Sequence, residues 1–186
     1  MSWNLPTSVE IDGKEYKITN NCDYRMVLDV ITALNDNELT DNQKLQCALY
    51  IFYEDLSDCK DSELATKEML KIINYGQEED EQEETSNKPA LMDWKHDFGN
   101  ITPPISRILG YDVRCADKYT HWYTFLGGYM EIGECTFSNI ISIRSKRVKG
   151  KPLEKWEQEF YKENKKMIDL PHNLTEEERA WLDSDW

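Results

Sequence analysis

Between Gln77 and Pro89 the chain reads QEEDEQEETSNKP, thirteen residues with six carboxylates and no large apolar side chain. Such a run repels itself and has nothing to bury, so it reads as a solvated linker, and what folds must be built from the stretches on either side. A calcium loop would need oxygen ligands at set spacing around a turn glycine, and the run offers neither. The chain therefore divides into residues 1–76, an acidic linker at 77–90, an aromatic-rich stretch at 91–170 and an acidic tail at 171–186.

Charge follows the same division. Residues 1–76 hold seven Lys/Arg against fourteen Asp/Glu, or −7, and residues 77–90 hold one against six, or −5. Residues 91–170 reverse the sign, with thirteen against eleven giving +2, and the tail holds one against five, or −4. The total of −14 disfavours non-specific binding to nucleic acid or to an anionic membrane, because both need accumulated positive charge.

Local signals predict the elements of the first stretch. Val9 to Ile11 and Tyr16 to Ile18 flank Asp12-Gly13, a dipeptide suited to the positive φ angles of a two-residue hairpin. Asp23 can cap a helix bearing Tyr24, Val27, Leu28, Ile31 and Leu34 at helical spacing. Thr40 and Gln43 match a capping box ahead of Leu45, Ala48, Leu49, Phe52 and Leu56. A third helix runs from about Ser62 to Tyr75, with Gly76 placed to end it.

In the second stretch Asp93 caps a short helix over Trp94 to Phe98, and Thr102 with Pro103 opens another that stops near Gly110. An aromatic helix from about Thr120 to Met130 is interrupted near Gly133 before a helix over Glu134 to Lys149. A last amphipathic helix carries Trp156, Phe160 and Tyr161, and Thr175 with Glu178 repeats the capping-box pattern in the tail. The expected fold class is α+β, mostly α: an N-terminal β-hairpin packed on helices, then a helical C-terminal domain.

Chemistry is hard to place on these residues. His96, His121 and His172 lack the spacing that projects metal ligands from one helix, and His121 between Thr120 and Trp122 reads as structural. Glu131 and Glu134 could share a helix face as a carboxylate pair, but Gly133 between them opposes a continuous helix. No G-x-S-x-G turn and no phosphate-binding glycine loop is present. Cys22, Cys47, Cys59, Cys115 and Cys135 form an odd set without a C-x-x-C pair, as expected of reduced, mostly buried thiols. The start has neither the basic residues nor the apolar run of a secretory signal, and Cys47–Tyr53 is too short an apolar run to span a bilayer. A cytoplasmic, non-enzymatic protein without cofactor or metal is expected.

The most distinctive segment runs from Tyr119 to Glu163 and carries nine Phe, Trp and Tyr side chains. Aromatic side chains supply large contact area with few rotamers to freeze, so they concentrate in cores and at interface hot spots. Trp122, Tyr123, Phe125, Tyr129, Trp156 and Phe160 are the candidates for a protein-binding surface, and packing into the core is the competing reading for each. Arg144, Lys146, Arg147, Lys149 and Lys151 form the one basic concentration. At a helix end such charge complements the helix dipole, and weak phosphate contact is the alternative.

Four stretches, LPTSVEIDGKEYKI, LMDWKHDF, HWYTFLGGYMEIGECTFSNIISIR and KPLEKWEQEFYKEN, resemble a family of siphophage and prophage proteins from Gram-positive hosts, usually encoded just upstream of the tail tape measure protein. The resemblance spans nearly the whole chain and is most specific in the aromatic segment. It implies a tail assembly chaperone that coats the tape measure protein in the host cytoplasm and is absent from the finished virion. The tail tube protein and the upstream tail chaperone are the further partners it implies. No catalytic residue travels with the resemblance. An alternative from another class is an acidic phage inhibitor that mimics nucleic acid against a host DNA-binding or defence protein.

Overall fold

The computed structural model describes residues 4–77 and 90–170. Most of the acidic run, and the tail with its second capping box at Thr175 and Glu178, lie outside the described residues. The α+β, mostly α expectation holds: a two-stranded antiparallel hairpin precedes eight α-helices among the described residues.

Strands β1 (Ser8–Ile11) and β2 (Lys14–Lys17) pair in the register Val9 with Tyr16 and Ile11 with Lys14. Asp12 and Gly13 take φ of 50° and 76°, the two left-handed positions that such a tight turn requires. Val9, Ile11 and Tyr16 are buried, while Glu10 and Glu15 face solvent. Two strands alone would be marginal in water, so the hairpin depends on the helices beneath it.

Helix α1 (Tyr24–Leu34) starts where the Asp23 carboxylate accepts the Arg25 N–H at 3.0 Å. Helix α2 (Asp41–Phe52) opens on the Thr40 and Gln43 capping box, in which two otherwise unpaired backbone donors are satisfied reciprocally. Its buried side chains are Ala48 and Phe52, whereas Leu45, expected on the inner stripe, lies on the exposed side. Helix α3 (Ser62–Ile73) is capped by Asp61 and ends as foreseen, with Gly76 at φ 78° donating its N–H to the Lys71 carbonyl at 2.7 Å.

The largest departure from the sequence reading is α4 (Trp94–Leu109), one helix where two were expected. Pro103 and Pro104 sit inside it, and the Thr102 hydroxyl donates back to the Phe98 carbonyl at 2.9 Å instead of capping a new helix. The two prolines withhold N–H groups from the carbonyls of Gly99 and Asn100, neither of which is at a buried position. Burial of Ile101, Thr102, Pro104 and Ile105 on the opposite face keeps the helix running through the defect.

Helix α5 (Trp122–Met130) begins two residues later than expected, with His121 as its cap. Helices α6 (Thr136–Val148), α7 (Lys155–Glu163) and the single turn α8 (Lys165–Ile168) complete the order.

Both stretches that flank the acidic run enter one core, which extends from Val9 through Met69 and Ile105 to Phe137. The Tyr24 ring stacks on Phe125 at 4.2 Å and 4°, and the Tyr24 hydroxyl donates to the Val113 carbonyl at 2.9 Å. The Trp122 indole N–H reaches across to the Ile73 carbonyl at 3.0 Å. Each such aromatic contributes about 2–3 kcal/mol by burial, an upper figure because unfolded chains are already partly collapsed. A smaller cluster of Ile140, Ile143 and Ile168, flanked by Leu153, Phe160 and Tyr161, joins α6, α7 and α8.

Candidate protein-docking site

The structure separates the six aromatic candidates. Trp122 and Phe125 are fully buried, so their surface is already occupied by Trp94, Tyr24 and Ile73 and is not available to a partner. The physical reason is the spacing of α5: Trp122, Phe125, Leu126 and Tyr129 lie along one stripe, and that stripe faces α1 and α4. Tyr129 is half-buried, packed against Trp94 at 5.1 Å, with its hydroxyl on the Met92 sulfur at 3.1 Å. Tyr123 is half-buried beside Tyr75, and burial pushes its phenol up to about 12. Phe160 packs in the smaller cluster. Trp156 is the open one, 47% exposed, its indole N–H on the Glu154 carboxylate. Four of the six therefore form an internal aromatic wall, and the other two sit on a different helix.

The basic run is likewise mostly turned inward. Arg144 grips the buried Asp97 with two hydrogen bonds and also donates to the Leu91, Met167 and Ile168 carbonyls. Lys146 holds both oxygens of Glu157 at 2.7 Å, and Arg147 pairs with Asp169 while lying over the Tyr161 ring at 4.3 Å. These contacts tie α6 to α4, α7 and α8, and leave Lys149 and Lys151 as the exposed remainder. Neither the dipole reading nor the phosphate reading describes Arg144.

His121 is structural, as expected. Its Nδ1 accepts the Tyr123 N–H at 3.0 Å, which leaves Nε2–H to donate to the Pro6 carbonyl at 2.9 Å, so the ring is neutral. Glu131 and Glu134 are both exposed around Gly133, whose φ of +63° ends the helical path between them. Among the described residues no group of three or more His, Cys, Asp or Glu is placed to hold a metal ion. No helix of the described residues is long and apolar enough to cross a membrane.

An open concave surface lies elsewhere. A groove of about 1410 Å³ runs between the start of α1, the second half of α2, the loop that follows it and the segment 116–119. Its accessible apolar side chains are the half-buried Leu49, Ile51 and Leu56, which lie over the buried Met26 and Ala65. One wall is held by Arg25, whose guanidinium donates to the carbonyls of Val113, Cys115 and Lys118 and to the Asp23 carboxylate. Asp23 in turn accepts the Thr120 N–H at 3.2 Å, and the Tyr119 hydroxyl donates to the Asn21 carbonyl at 2.6 Å.

Beneath that wall Asn20, Asn21 and Cys22 follow one another at φ of 50°, 51° and 61°. Three consecutive left-handed residues without glycine cost on the order of 1–2 kcal/mol each, less for the two asparagines, and persist because the surrounding bonds over-determine them. At the rim stand Asp29, Glu54, Asp55 and Asp117, with Tyr50 88% and Tyr119 53% exposed. The Ser57 backbone N–H on Asp55 holds that carboxyl below its usual range, so it is ionised at neutral pH. The arrangement offers an apolar trough with aromatic and acidic edges.

One sign of this groove was present in the sequence. Tyr50 falls off the inward stripe formed by Ala48, Leu49 and Phe52 on α2, so an aromatic there has no core to enter. The segment 116–119 carried no comparable sign, since it is brought to α1 by long-range bonds: the Arg25 clamp, the Tyr119 hydroxyl on Asn21 and the Thr120 N–H on Asp23.

A family model described as Bacteriophage Gp15 protein matches residues 1–170, which takes in the groove, the aromatic wall and the α6 to α8 cluster. No curated protein and no solved structure matches the chain.

Proposed function

The chain belongs to the Bacteriophage Gp15 protein family, and on that premise we propose that it is a non-enzymatic tail assembly chaperone that binds the tape measure protein in the host cytoplasm while the tail is built. The observation that carries this reading is the open groove of α1 and α2, an apolar trough bearing the 88% exposed Tyr50. A long helical client with apolar segments needs such a trough, because helix-in-groove recognition covers the client's apolar face until its permanent partner arrives. The net charge of −14 would keep a coated client from associating with other coated copies.

The test is co-expression of the tape measure protein with and without this chain, followed by size exclusion. Co-elution of the two, with client solubility that depends on the chain, is the expected result. A client that stays insoluble and an intact chain that elutes alone would overturn the reading.

A further inference from the structure

Tyr50 and Tyr119 flank a trough edged by Asp29, Glu54, Asp55 and Asp117, and we propose that this groove selects a Lys/Arg-bearing amphipathic segment of a protein partner. The identification of that partner as the tape measure protein rests on the function proposed above.

Charge decides the chemistry of the occupant. Five acidic side chains line the groove, Asp23, Asp29, Glu54, Asp55 and Asp117, against Arg25 and Lys118. Asp23 and Arg25 are spent on each other and on the wall, since the guanidinium makes two contacts to Asp23 and three to backbone carbonyls. Four carboxylates then face Lys118 within the groove, and Lys14 of the hairpin, itself paired with Asp58, acts on Asp55 from outside it. Asp29, Glu54 and Asp117 have no ion-pair partner among the described residues, so their field is not neutralised from within. An apolar-walled cleft focuses that field and raises the local concentration of cations.

The same balance removes other occupants. Nucleic acid and anionic lipid would meet like charge at the rim. A second copy of the chain is also acidic, and its densest cations, Arg144, Lys146 and Arg147, are engaged in internal pairs. A cationic segment is matched twice, by the carboxylates and by the tyrosine faces, on which a guanidinium or ammonium gains a further attraction. The apolar floor asks for an apolar stripe beside those charges, which makes the ligand amphipathic.

The proposal is tested with synthetic peptides tiling the tape measure protein, titrated into the full-length chain at low and high salt. Tyr50→Ala and the pair Asp29→Lys with Glu54→Lys are compared with the unchanged protein. All three positions lie outside the buried core, so the variants should unfold at the same denaturant concentration, which is checked first. The expected binders are tiles with Lys or Arg beside apolar residues, with affinity that falls as salt rises. Tyr50→Ala should weaken them about 2- to 5-fold, the loss of one exposed cation–π contact. The double charge reversal should weaken them by at least about 10-fold, within the range that like-charge juxtaposition produces at an interface.

Tiles that bind the unchanged protein and both variants equally, or a preference for acidic or uncharged tiles, overturn the groove assignment while leaving the chaperone reading intact. An unchanged protein that binds neither any tile nor the intact tape measure protein overturns the chaperone reading, and this identification of the occupant with it.

Discussion

Asp97 on α4 and Arg144 on α6 meet in a two-pronged ion pair inside the protein, with Oδ1 2.8 Å from Nη2, Oδ2 2.7 Å from Nη1, and both side chains at most 5% exposed. The carboxylate also accepts the Asp93 N–H at the start of α4, and the guanidinium also donates to carbonyls near α4 and at α8. The pair therefore sets the register of three helices, which matters more than its own net contribution, since desolvation cancels much of the attraction between buried charges.

Removing one partner strands the other. Asp97→Asn or Arg144→Met should each destabilise by about 3–5 kcal/mol, with Arg144→Met the worse because the Leu91, Met167 and Ile168 carbonyls lose their donor as well. The double substitution should cost less than the sum by on the order of 1–3 kcal/mol. Denaturant titrations of the four proteins measure that coupling, and strict additivity would show that the two groups do not sense each other.

His121 makes stability depend on pH in a defined direction. Burial lowers its pKa below the usual 6.5, against the opposing pull of the Pro6 carbonyl and the Asp23 carboxylate. The folded state then holds fewer protons than the unfolded state in the window just below about 6.5, so stability is full above that value and declines as pH falls through it toward the folded pKa. Urea midpoints from pH 7.5 to 5.5 should fall for the native chain. His121→Asn keeps a capping side chain without the titration, and its midpoints should fall less steeply over that range. Equal slopes would exclude His121 as the source.

Sequence reasoning succeeded where the determinant is local and faltered where it is not. The caps at Asp23, Thr40 with Gln43, and Asp93 were readable because each bonds to a backbone N–H within three residues. The Asp12-Gly13 turn was readable for the same reason, since two φ angles decide it. Continuity of α4 across Pro103 and Pro104 depends on the burial of Ile101 and Ile105, which no local rule contains. Arg144 lay inside a recognisable basic run, yet its partner stands 47 residues away. The aromatic segment was the hardest case, because Trp122 and Phe125 would look alike in a core and at an interface. Only the approach of α1 and α4 assigns them inward.

The cysteines offer a check on that assignment of inside and outside. Cys22 is buried beneath the left-handed turn, and burial pushes its thiol up to about 12, so almost no thiolate forms near neutral pH. Against the expectation of mostly buried thiols, Cys47 and Cys115 are exposed and Cys59 and Cys135 are half-buried. Brief maleimide labelling of the folded chain, read by peptide mass spectrometry, should modify Cys47 and Cys115 first and leave Cys22 until denaturant is added. Early modification of Cys22 would mean that the turn at Asn20 to Cys22 opens in the native state.

Gly127 and Gly128 are adjacent on α5 and should respond oppositely to the same substitution. A Cβ built at Gly127 meets nothing within 4 Å, whereas one at Gly128 comes 3.0 Å from Ile105 Cγ2 and 3.5 Å from Leu109 Cγ. Either Gly→Ala change gains helix propensity of about 1 kcal/mol. At Gly127 that gain is unopposed, so Gly127→Ala should raise the melting temperature. At Gly128 the new methyl pushes on Ile105, which is fully buried and has little room to move, and overpacking of this kind costs about 1–3 kcal/mol. Gly128→Ala should therefore lower the melting temperature or leave it unchanged. A rise for Gly128→Ala equal to that for Gly127→Ala would mean that α4 and α5 are not held together at this point. The near side of the aromatic wall would then be looser than the packing of Trp94 edge-on to Trp122 and tilted against Phe125 implies.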